Sequence, residues 1–263
     1  MSWWTKFWQW LTGKRLPDIK NHKASFLMDG GGTRLMNILS PHCSRDAFKG
    51  LVSRSKANGD NFMYLYVVNE RDGGWTPYSI YVANKIGGVK DTAAVAEHKW
   101  RLKYIRDNEM GIVLWLRADD SPNFNKTPEV HQKQYQADVV ALFDDYVSAY
   151  VIGLEADEYM TATAAEMYAT HLRGLTDKHI GVHQRPGRFD YALRSCITGL
   201  WYQYGFNKTR DQVRNDTVKV LQKLGGKPLY AAEYHLSSSS EVAKNLGDAA
   251  IAGGASGTGN GRH

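Results

Sequence analysis

Two segments of the chain that read as short apolar strands each end in acidic residues. The first is followed by Glu155, Asp157 and Glu158, and the second ends in Glu233. Two carboxyl groups that face each other across a pocket can cleave a glycosidic bond, one as proton donor and the other as nucleophile or base. These acids are therefore the leading candidates for catalysis.

The acids can share a pocket only if both strands belong to one parallel sheet. Strand and helix patterns alternate along the chain, and the strands are continuous apolar runs, as in sheets that are buried on both faces. In a closed parallel barrel, the carboxyl ends of all strands surround one pocket, and about 250 residues suffice for the fold. The 263 residues therefore predict an α/β protein with a single (β/α)8 TIM barrel over 21–263 and an aromatic N-terminal helical extension over 1–20.

Seven strands and a weaker eighth are predicted, with helices between them that begin at capping residues. The strands cover 24–29, 62–68, 111–116, 149–155, 180–184, 197–203 and 229–233, and the eighth lies within 254–261. The helix starts are marked by Ser44, Asp91, Thr127–Pro128, Thr161 or Thr163, and Thr209. An open doubly wound sheet is the rival architecture, but the glycines at 30–32 open neither a dinucleotide-binding motif nor a P-loop. Nucleotide binding is therefore not favoured.

The alternation of side chains along a strand predicts which residues of the fourth strand face the pocket. If Ile152 and Leu154 face the helices, then Val151, Gly153 and Glu155 face the barrel axis. Glu158 follows where the strand gives way to a loop. Geometry therefore favours Glu155 as the acid that points inward.

The seventh strand is predicted to present Leu229, Ala231 and Glu233 on its inward face. Small residues below the acid would leave room for the floor of a pocket. The alternative is that the acids at the barrel rim only form ion pairs. Their partners would then be Arg117, Arg185 and Arg188.

The segment GKPLYAAEY at 226–234 resembles the seventh-strand pattern of retaining glycoside hydrolases with a (β/α)8 barrel, the 4/7 superfamily or clan A. In that pattern a Gly-Lys-Pro-hydrophobic stretch leads to the nucleophilic glutamate, which implies this role for Glu233. The family places its acid/base glutamate at the end of the fourth strand, usually after asparagine. This chain has Asp157-Glu158 there, so the motif favours Glu158 while geometry favours Glu155.

The resemblance implies a double displacement on a polysaccharide or glycan. Glu233 would attack the anomeric carbon while the fourth-strand acid protonates the leaving oxygen and later activates water. Retention needs carboxyl groups about 5–5.5 Å apart, and inversion about 6.5–9.5 Å. The sequence does not distinguish these separations.

Residues at the ends of the other predicted strands could bind the substrate. They are Asp29, Arg117, Asp157, His183, Gln184, Trp201, Tyr202, Tyr234 and His235. A tryptophan can stack on a sugar ring, although aromatic residues are also common in cores. For histidine the alternative is a hydrogen-bonded structural imidazole.

Composition argues against several other classes of protein. The formal charge of +6 is not concentrated in any long basic run, so nucleic-acid binding is not predicted. The two cysteines lie far apart in sequence, and no zinc-binding His or Cys spacing occurs. We therefore expect neither a metal nor a cofactor.

No stretch of the chain reaches the roughly 20 apolar residues of a membrane span. The first sixteen residues are rich in tryptophan. Lys6 and Gln9 interrupt the apolar run, and a small-residue cleavage site is missing, so we do not expect a cleavable signal peptide. The segment could form a helix that packs on the barrel, dock a partner protein through residues 1–16, or lie at a bilayer interface.

The docking interpretation leads to an alternative function. A barrel whose acid/base position departs from the family pattern could be a non-catalytic carbohydrate-binding or structural component of a larger assembly, such as a virion, because fold alone does not determine function. Such a protein would be synthesised in the cytoplasm and then be incorporated in the particle or released by lysis.

Overall fold

The barrel predicted from the strand–helix alternation is present. The computed structural model describes residues 19, 22–26, 44–67, 80–117, 122–205, 207–233 and 240–260. Eight parallel strands follow one another around a closed barrel, and β8 pairs with β1. The strands are β1 His22–Phe26, β2 Phe62–Tyr66, β3 Gly111–Trp115, β4 Ala149–Val151, β5 His179–Gln184, β6 Gly199–Gln203, β7 Leu229–Glu233 and β8 Gly257–Asn260. The single (β/α)8 barrel is therefore confirmed.

Helices connect the strands along the outside of the barrel. Within the described ranges they are α1 Arg45–Ala57, α2 Thr92–Asp107, α3 Pro122–Lys126, α4 Glu129–Phe143, α5 Ala162–Arg173, α6 Arg210–Leu221 and α7 Ser240–Ala252. Short 3-10 turns cover Val82–Asn84, Ala156–Glu158 and Tyr191–Leu193. The aromatic extension over 1–20 lies outside the described residues except for Ile19, so its boundary with the barrel stays a prediction.

Four of the predicted helix starts are capped by local side-chain hydrogen bonds, whereas α4 begins after Pro128 without a side-chain cap. Ser44 accepts from the backbone of α1, and Asp91 accepts from two backbone N–H groups of α2. Thr161, rather than Thr163, caps α5, and Thr209 forms a reciprocal capping box with Gln212 at the start of α6. Each such cap satisfies a backbone donor that has no partner within the helix and contributes roughly 1 kcal/mol.

The strands divide their side chains between two apolar clusters. The outer cluster joins the helices to the outward-facing strand residues. The inner cluster fills the barrel and takes alternate residues from several strands. Its members are Ile19, Ala24, Phe62, Tyr64, Tyr66, Val113, Trp115, Ala149, Val151, Leu154, Trp201, Tyr230 and Ala232.

Six of the thirteen described members of the inner cluster are aromatic. The ring centroids of Trp201 and Tyr230 are 4.3 Å apart, and the indole N–H of Trp201 donates to the hydroxyl of Tyr64 at 3.2 Å. Trp115 lies 5.6 Å from Tyr64 and 5.6 Å from Tyr66 between ring centroids. The interior is thus a packed core, and a substrate pocket must lie above it, at the carboxyl-end rim.

The inward face of β7 differs from the prediction. Leu229 and Ala231 belong to the outer cluster, and Tyr230 and Ala232 belong to the inner cluster. Because the whole strand is apolar, polarity does not mark its two faces, and the fit of the Tyr230 ring against Trp201 decides between them. The pairing with β6 then shifts by one residue just before Glu233, an irregularity that can redirect a side chain at a strand end.

The fourth strand is shorter than predicted. It ends at Val151 instead of 155, and Leu154, expected to face the helices, lies in the inner cluster. Ile152 does face outward, in the outer cluster. The chain leaves strand geometry after Val151 and reaches a left-handed conformation at Glu155, so the period of two no longer applies there.

Candidate active site

The acids that follow β4 lie on the carboxyl-end rim of the barrel. After β4 ends, the backbone N–H of Ile152 still donates to Gly181 of β5, and that of Leu154 donates to Arg117 after β3. These two bonds hold the chain between its neighbouring strands up to Glu155. The rim segment is therefore anchored on both sides where its acids begin.

Glu155 has an unusual backbone conformation. Its φ of 43° and ψ of 47° are left-handed, a region that costs a residue other than glycine roughly 1–2 kcal/mol. Its backbone N–H donates to Nδ1 of His183 at 2.9 Å. Backbone strain of this kind is concentrated at functional sites, where the surrounding structure maintains it.

His183 reaches Glu155 from β5. The imidazole is fully buried, and its ring centroid lies 5.2 Å from that of Trp115. Burial lowers the pKa of His183 to about 3, so the ring is neutral at physiological pH. Because Nδ1 accepts a hydrogen bond, the proton of the neutral ring is on Nε2. The contact is that of a structural imidazole holding the backbone at Glu155.

Arg185 binds the other two acids of the β4 rim. Its Nε donates to Oδ2 of Asp157 at 3.1 Å, and its backbone N–H donates to Oδ1 at 3.1 Å. Its Nη1 donates to Oε1 of Glu158 at 2.8 Å. The side chain of Asp157 is fully buried, whereas Glu158 is partly exposed. Asp157 and Glu158 therefore form ion pairs, as the alternative interpretation of the rim acids predicted. Arg188 pairs instead with Asp190.

Two of the predicted substrate-binding residues instead hold the loop between β5 and β6. The side-chain oxygen of Gln184 accepts from the backbone N–H groups of Tyr191 and Ala192, at 3.1 and 3.3 Å. The hydroxyl of Tyr202 accepts from the backbone of Gly187 at 2.8 Å, and burial raises its pKa. Among the described residues, neither side chain has a hydrogen bond to Glu155.

Two further predicted residues lie in packed surroundings. Trp201 is buried in the inner cluster beneath the rim. Arg117 points away from the axis, and its Nη1 donates to side-chain oxygens of Asn125 and Gln132 near α3 and α4. Asp29, Tyr234, His235 and the side chain of Glu233 lie outside the described residues.

Glu233 is the last residue of β7, and its backbone pairs with Gln203 of β6. It is thus at the same rim as Glu155, with β5 and β6 between β4 and β7. The retaining mechanism that the resemblance implies stays a prediction, because the position of the Glu233 carboxyl group lies outside the described part of the chain.

Gln203 is a candidate that the sequence analysis missed. It ends β6 opposite Glu233, is buried, and falls on the same strand face as Trp201, two residues earlier. In the sequence, Gln203 is a polar residue at the end of an apolar strand, and this pattern could have identified it as a candidate.

Neither metal binding nor membrane insertion is indicated in the part of the chain that the structure describes. No group of three or more His, Cys, Asp or Glu residues there could hold a metal ion. Among the described helices, none has both the length and the apolar character that crossing a bilayer requires.

Several solved structures with the same architecture are named as glycoside-cleaving enzymes. A GH113 β-1,4-mannanase superimposes with a TM-score of 0.61 over 91% of this chain and 87% of that chain, at 9% identity. An endo-1,4-β-mannanase from Eisenia fetida gives 0.61 over 95% and 85%, at 13% identity. The chain has the fold of these glycoside hydrolases. A GH5-4 broad specificity endoglucanase from an uncultured bacterium shares the glycoside hydrolase fold with a TM-score of 0.56 over 93% and 88%, at 13% identity.

The likeness holds for the fold and not for the sequence. No protein-family model matches the chain, and no curated protein matches it either. At identities of 9 to 13%, the solved structures establish the barrel fold of this chain. They do not establish its reaction. The fold implied by the β7 motif is thus the fold found.

Proposed function

We propose that the chain is a glycoside hydrolase that cleaves a β-linked polysaccharide through Glu233 and Glu155. The observation that carries the proposal is the placement of these residues at the carboxyl ends of β7 and β4 in one closed barrel. In parallel barrels the catalytic groups come from this end of the strands. The shared fold of mannanases and an endoglucanase supports the same reaction class.

Glu233 acts as the nucleophile in this proposal. Its carboxylate oxygen forms a bond to the anomeric carbon as the bond to the leaving oxygen breaks, and Glu155 transfers its proton to that oxygen. Glu155 then takes a proton from water, and the water oxygen displaces Glu233 from the sugar. The product keeps its anomeric configuration because two inversions occur.

Glu155 is preferred to Glu158 as the proton donor for a geometric reason. A proton donor must turn its carboxyl group toward the leaving oxygen, whereas Glu158 is engaged by Arg185. The hydrogen bond from Glu155 to His183 holds the Glu155 backbone in one conformation at the rim. Preorganisation of this kind favours a catalytic group.

The names of the structural neighbours suggest which substrate class to test first. Their names specify β-1,4-mannan cleavage or endoglucanase activity, so β-1,4-linked mannan and glucan are the first substrates to test. The purified full chain should release reducing ends from at least one of them. We expect Glu233→Gln and Glu155→Gln to lower turnover by about 100-fold or more, the range typical of a lost acid, base or nucleophile.

The comparison with Glu158→Gln separates the two acid/base candidates. We expect that variant to keep turnover within a few-fold, as should Glu241→Gln, a control at an exposed position of α7. Full turnover in Glu233→Gln would remove the nucleophile from the proposal. Loss of turnover in Glu158→Gln, with activity kept in Glu155→Gln, would transfer the acid/base role to Glu158.

Stereochemistry provides an independent test. Proton NMR during the first minutes of hydrolysis should show the product anomer with the configuration of the substrate. Accumulation of the opposite anomer would contradict the double displacement and place a water molecule between the two carboxyl groups.

A non-catalytic carbohydrate-binding barrel is the second candidate. Two observations favour it. The segment after β4 has Asp157-Glu158 where the glycoside hydrolases of clan A usually have an Asn–Glu pair, and Arg185 donates hydrogen bonds to both acids. Calorimetric binding of a manno- or gluco-oligosaccharide with no release of reducing ends, unchanged in Glu233→Gln, would support it. Residues 1–16 would then be the proposed docking segment for a larger assembly, and their deletion should abolish that association.

A further inference from the structure

Arg117 is a buried cation in a neutral environment. The residue is 4% exposed and lies behind the carboxyl end of β3, facing α3, α4 and α5. Its Nη1 donates to the side-chain oxygens of Asn125 at 3.0 Å and Gln132 at 3.2 Å. Its Nη2 approaches the sulfur of Met160 at 3.8 Å. None of these contacts carries a negative charge.

Aromatic rings complete the surroundings of Arg117. The guanidinium carbon lies 5.0 Å from the ring centroid of Phe124, 4.6 Å from that of Tyr159 and 5.6 Å from that of Tyr168. Ring faces attract a cation by roughly 0.5–2 kcal/mol each, but they do not neutralise it. A buried charge is normally paired, because desolvation costs several kcal/mol.

Arg101 shows how the same protein compensates a buried arginine. It is 2% exposed, and its Nη2 forms an ion pair with Glu97 at 2.9 Å. Within the part of the chain that the structure describes, Arg117 has no carboxylate at ion-pair distance. The two arginines are similarly buried, and of these two only Arg101 has a countercharge among the residues that the structure describes.

Arg117 also has a buried donor without an acceptor in the described part of the chain, and the residue lines a small cavity. Its Nε is buried and finds no acceptor among the described residues. The side chain lines a cavity of about 10 Å³ together with Tyr135, Gln136 and Tyr168. A space of roughly 10–15 Å³ on this measure holds one water-sized particle. A single-atom ligand therefore suits this space better than a polyatomic one.

We propose that this cavity binds one monoatomic anion, with chloride as the physiological ligand, on the guanidinium of Arg117. The anion would supply the missing countercharge and accept the hydrogen bond of Nε. The site would support the β4 rim, because the Arg117 carbonyl accepts from the backbone of Leu154 and its side chain contacts Tyr159 and Met160.

The first test is thermal unfolding of the full chain in sodium acetate, chloride and bromide at one ionic strength. We expect chloride and bromide to raise Tm by a few degrees above acetate, with saturation as their concentration increases, because a ligand that binds only the folded state shifts Tm. Equal Tm values in the three salts would overturn the proposal.

Substitutions locate the effect. Arg117→Gln should abolish the difference between chloride and acetate whatever its own Tm. Arg194→Gln, which removes an exposed arginine paired with Glu166, should keep it. A halide response that persists in Arg117→Gln would contradict the assignment to this cavity.

Crystals of the wild-type chain in bromide provide a measurement that does not depend on a variant. We expect an anomalous peak in the cavity, within hydrogen-bonding reach of Nε of Arg117. Density without an anomalous signal would identify water as the occupant and overturn the proposal. Anomalous scattering at the cavity, together with the saturable Tm shift, would establish an anion site.

Discussion

At the scale of single residues, Glu155 connects backbone strain with the proposed chemistry. Its left-handed backbone and its hydrogen bond to His183 fix where the chain turns at the rim. Neither feature is needed for a solvent-exposed acid in a loop. The conformation is maintained by the packing of His183 against Trp115 in the barrel interior.

Replacing Glu155 by glycine should separate stability from activity. Glycine adopts the left-handed conformation without strain, at a cost in unfolded-state entropy of roughly 0.5–1 kcal/mol. We therefore expect Glu155→Gly to raise the free energy of unfolding by about 0.5 kcal/mol while it abolishes glycan hydrolysis. Urea unfolding and a reducing-end assay measure the two effects.

Glu109 offers a matched control for this substitution. It also has a positive φ, of 66°, and it follows the C-cap Asn108 of α2, where glycine is favoured. Glu109→Gly should stabilise the fold to a similar degree and leave hydrolysis unchanged. A Glu155→Gly variant less stable than the wild type would show that the side chain stabilises more than the strain costs.

At the scale of elements, β5 and β6 fit together through a glycine and a tryptophan. Gly181 of β5 lies beside Trp201 of β6, and a β-carbon at position 181 would come within 2.0 Å of the indole ring. The ring also contacts Tyr230 of β7 and therefore cannot move aside freely. Because glycine has no side chain, the Trp201 ring can occupy the barrel interior beside residue 181.

We expect Gly181→Ala to destabilise the barrel by about 2–3 kcal/mol, the range typical of overpacking against a rigid neighbour. Gly50→Ala is the control, because its β-carbon would meet only the flexible guanidinium of Arg54 at 3.6 Å. In the middle of α1 it should stabilise by roughly 0.5–1 kcal/mol. Chemical denaturation of both variants measures the difference, and a neutral Gly181→Ala would show that the ring can shift.

At the scale of the whole molecule, two buried histidines link folding to pH. Burial lowers the pKa of His183 to about 3 and that of His98 to about 4. His98 donates through Nδ1 to the carbonyl of Ala94 at 2.7 Å and stacks on Phe143. Both rings stay neutral in the folded chain at pH values where the unfolded chain takes up protons.

The free energy of unfolding should therefore fall as the pH falls from about 6.5 to about 5. In this window the unfolded state binds more protons than the folded state, and each histidine contributes a slope of up to about 1.4 kcal/mol per pH unit. Urea unfolding of the wild type and of His98→Phe measures the slope, which should be smaller in the variant. His131→Gln, at an exposed position, should leave it unchanged, and an unchanged slope in His98→Phe would contradict the assignment.

Local features of the chain could be predicted from the sequence because they depend on residues close together in it. The caps Ser44, Asp91, Thr161 and Thr209 bond to backbone groups two or three residues away. The apolar runs mark the strands and their order, and the helical segments between successive strands are the crossover connections that a parallel sheet requires. The position of Glu233 as the last residue of β7 follows from the same pattern.

Only the tertiary structure decided how the side chains are distributed. Polarity does not mark the faces of a continuous apolar strand, so the packing of Tyr230 against Trp201 determined the inward face of β7. The ion pairs of Arg185 with acids 27 and 28 residues away, and the outward direction of Arg117, depend on which neighbours the closed barrel brings within reach. Hydrogen bonds between distant segments form only after the barrel closes, and no local pattern in the chain encodes them.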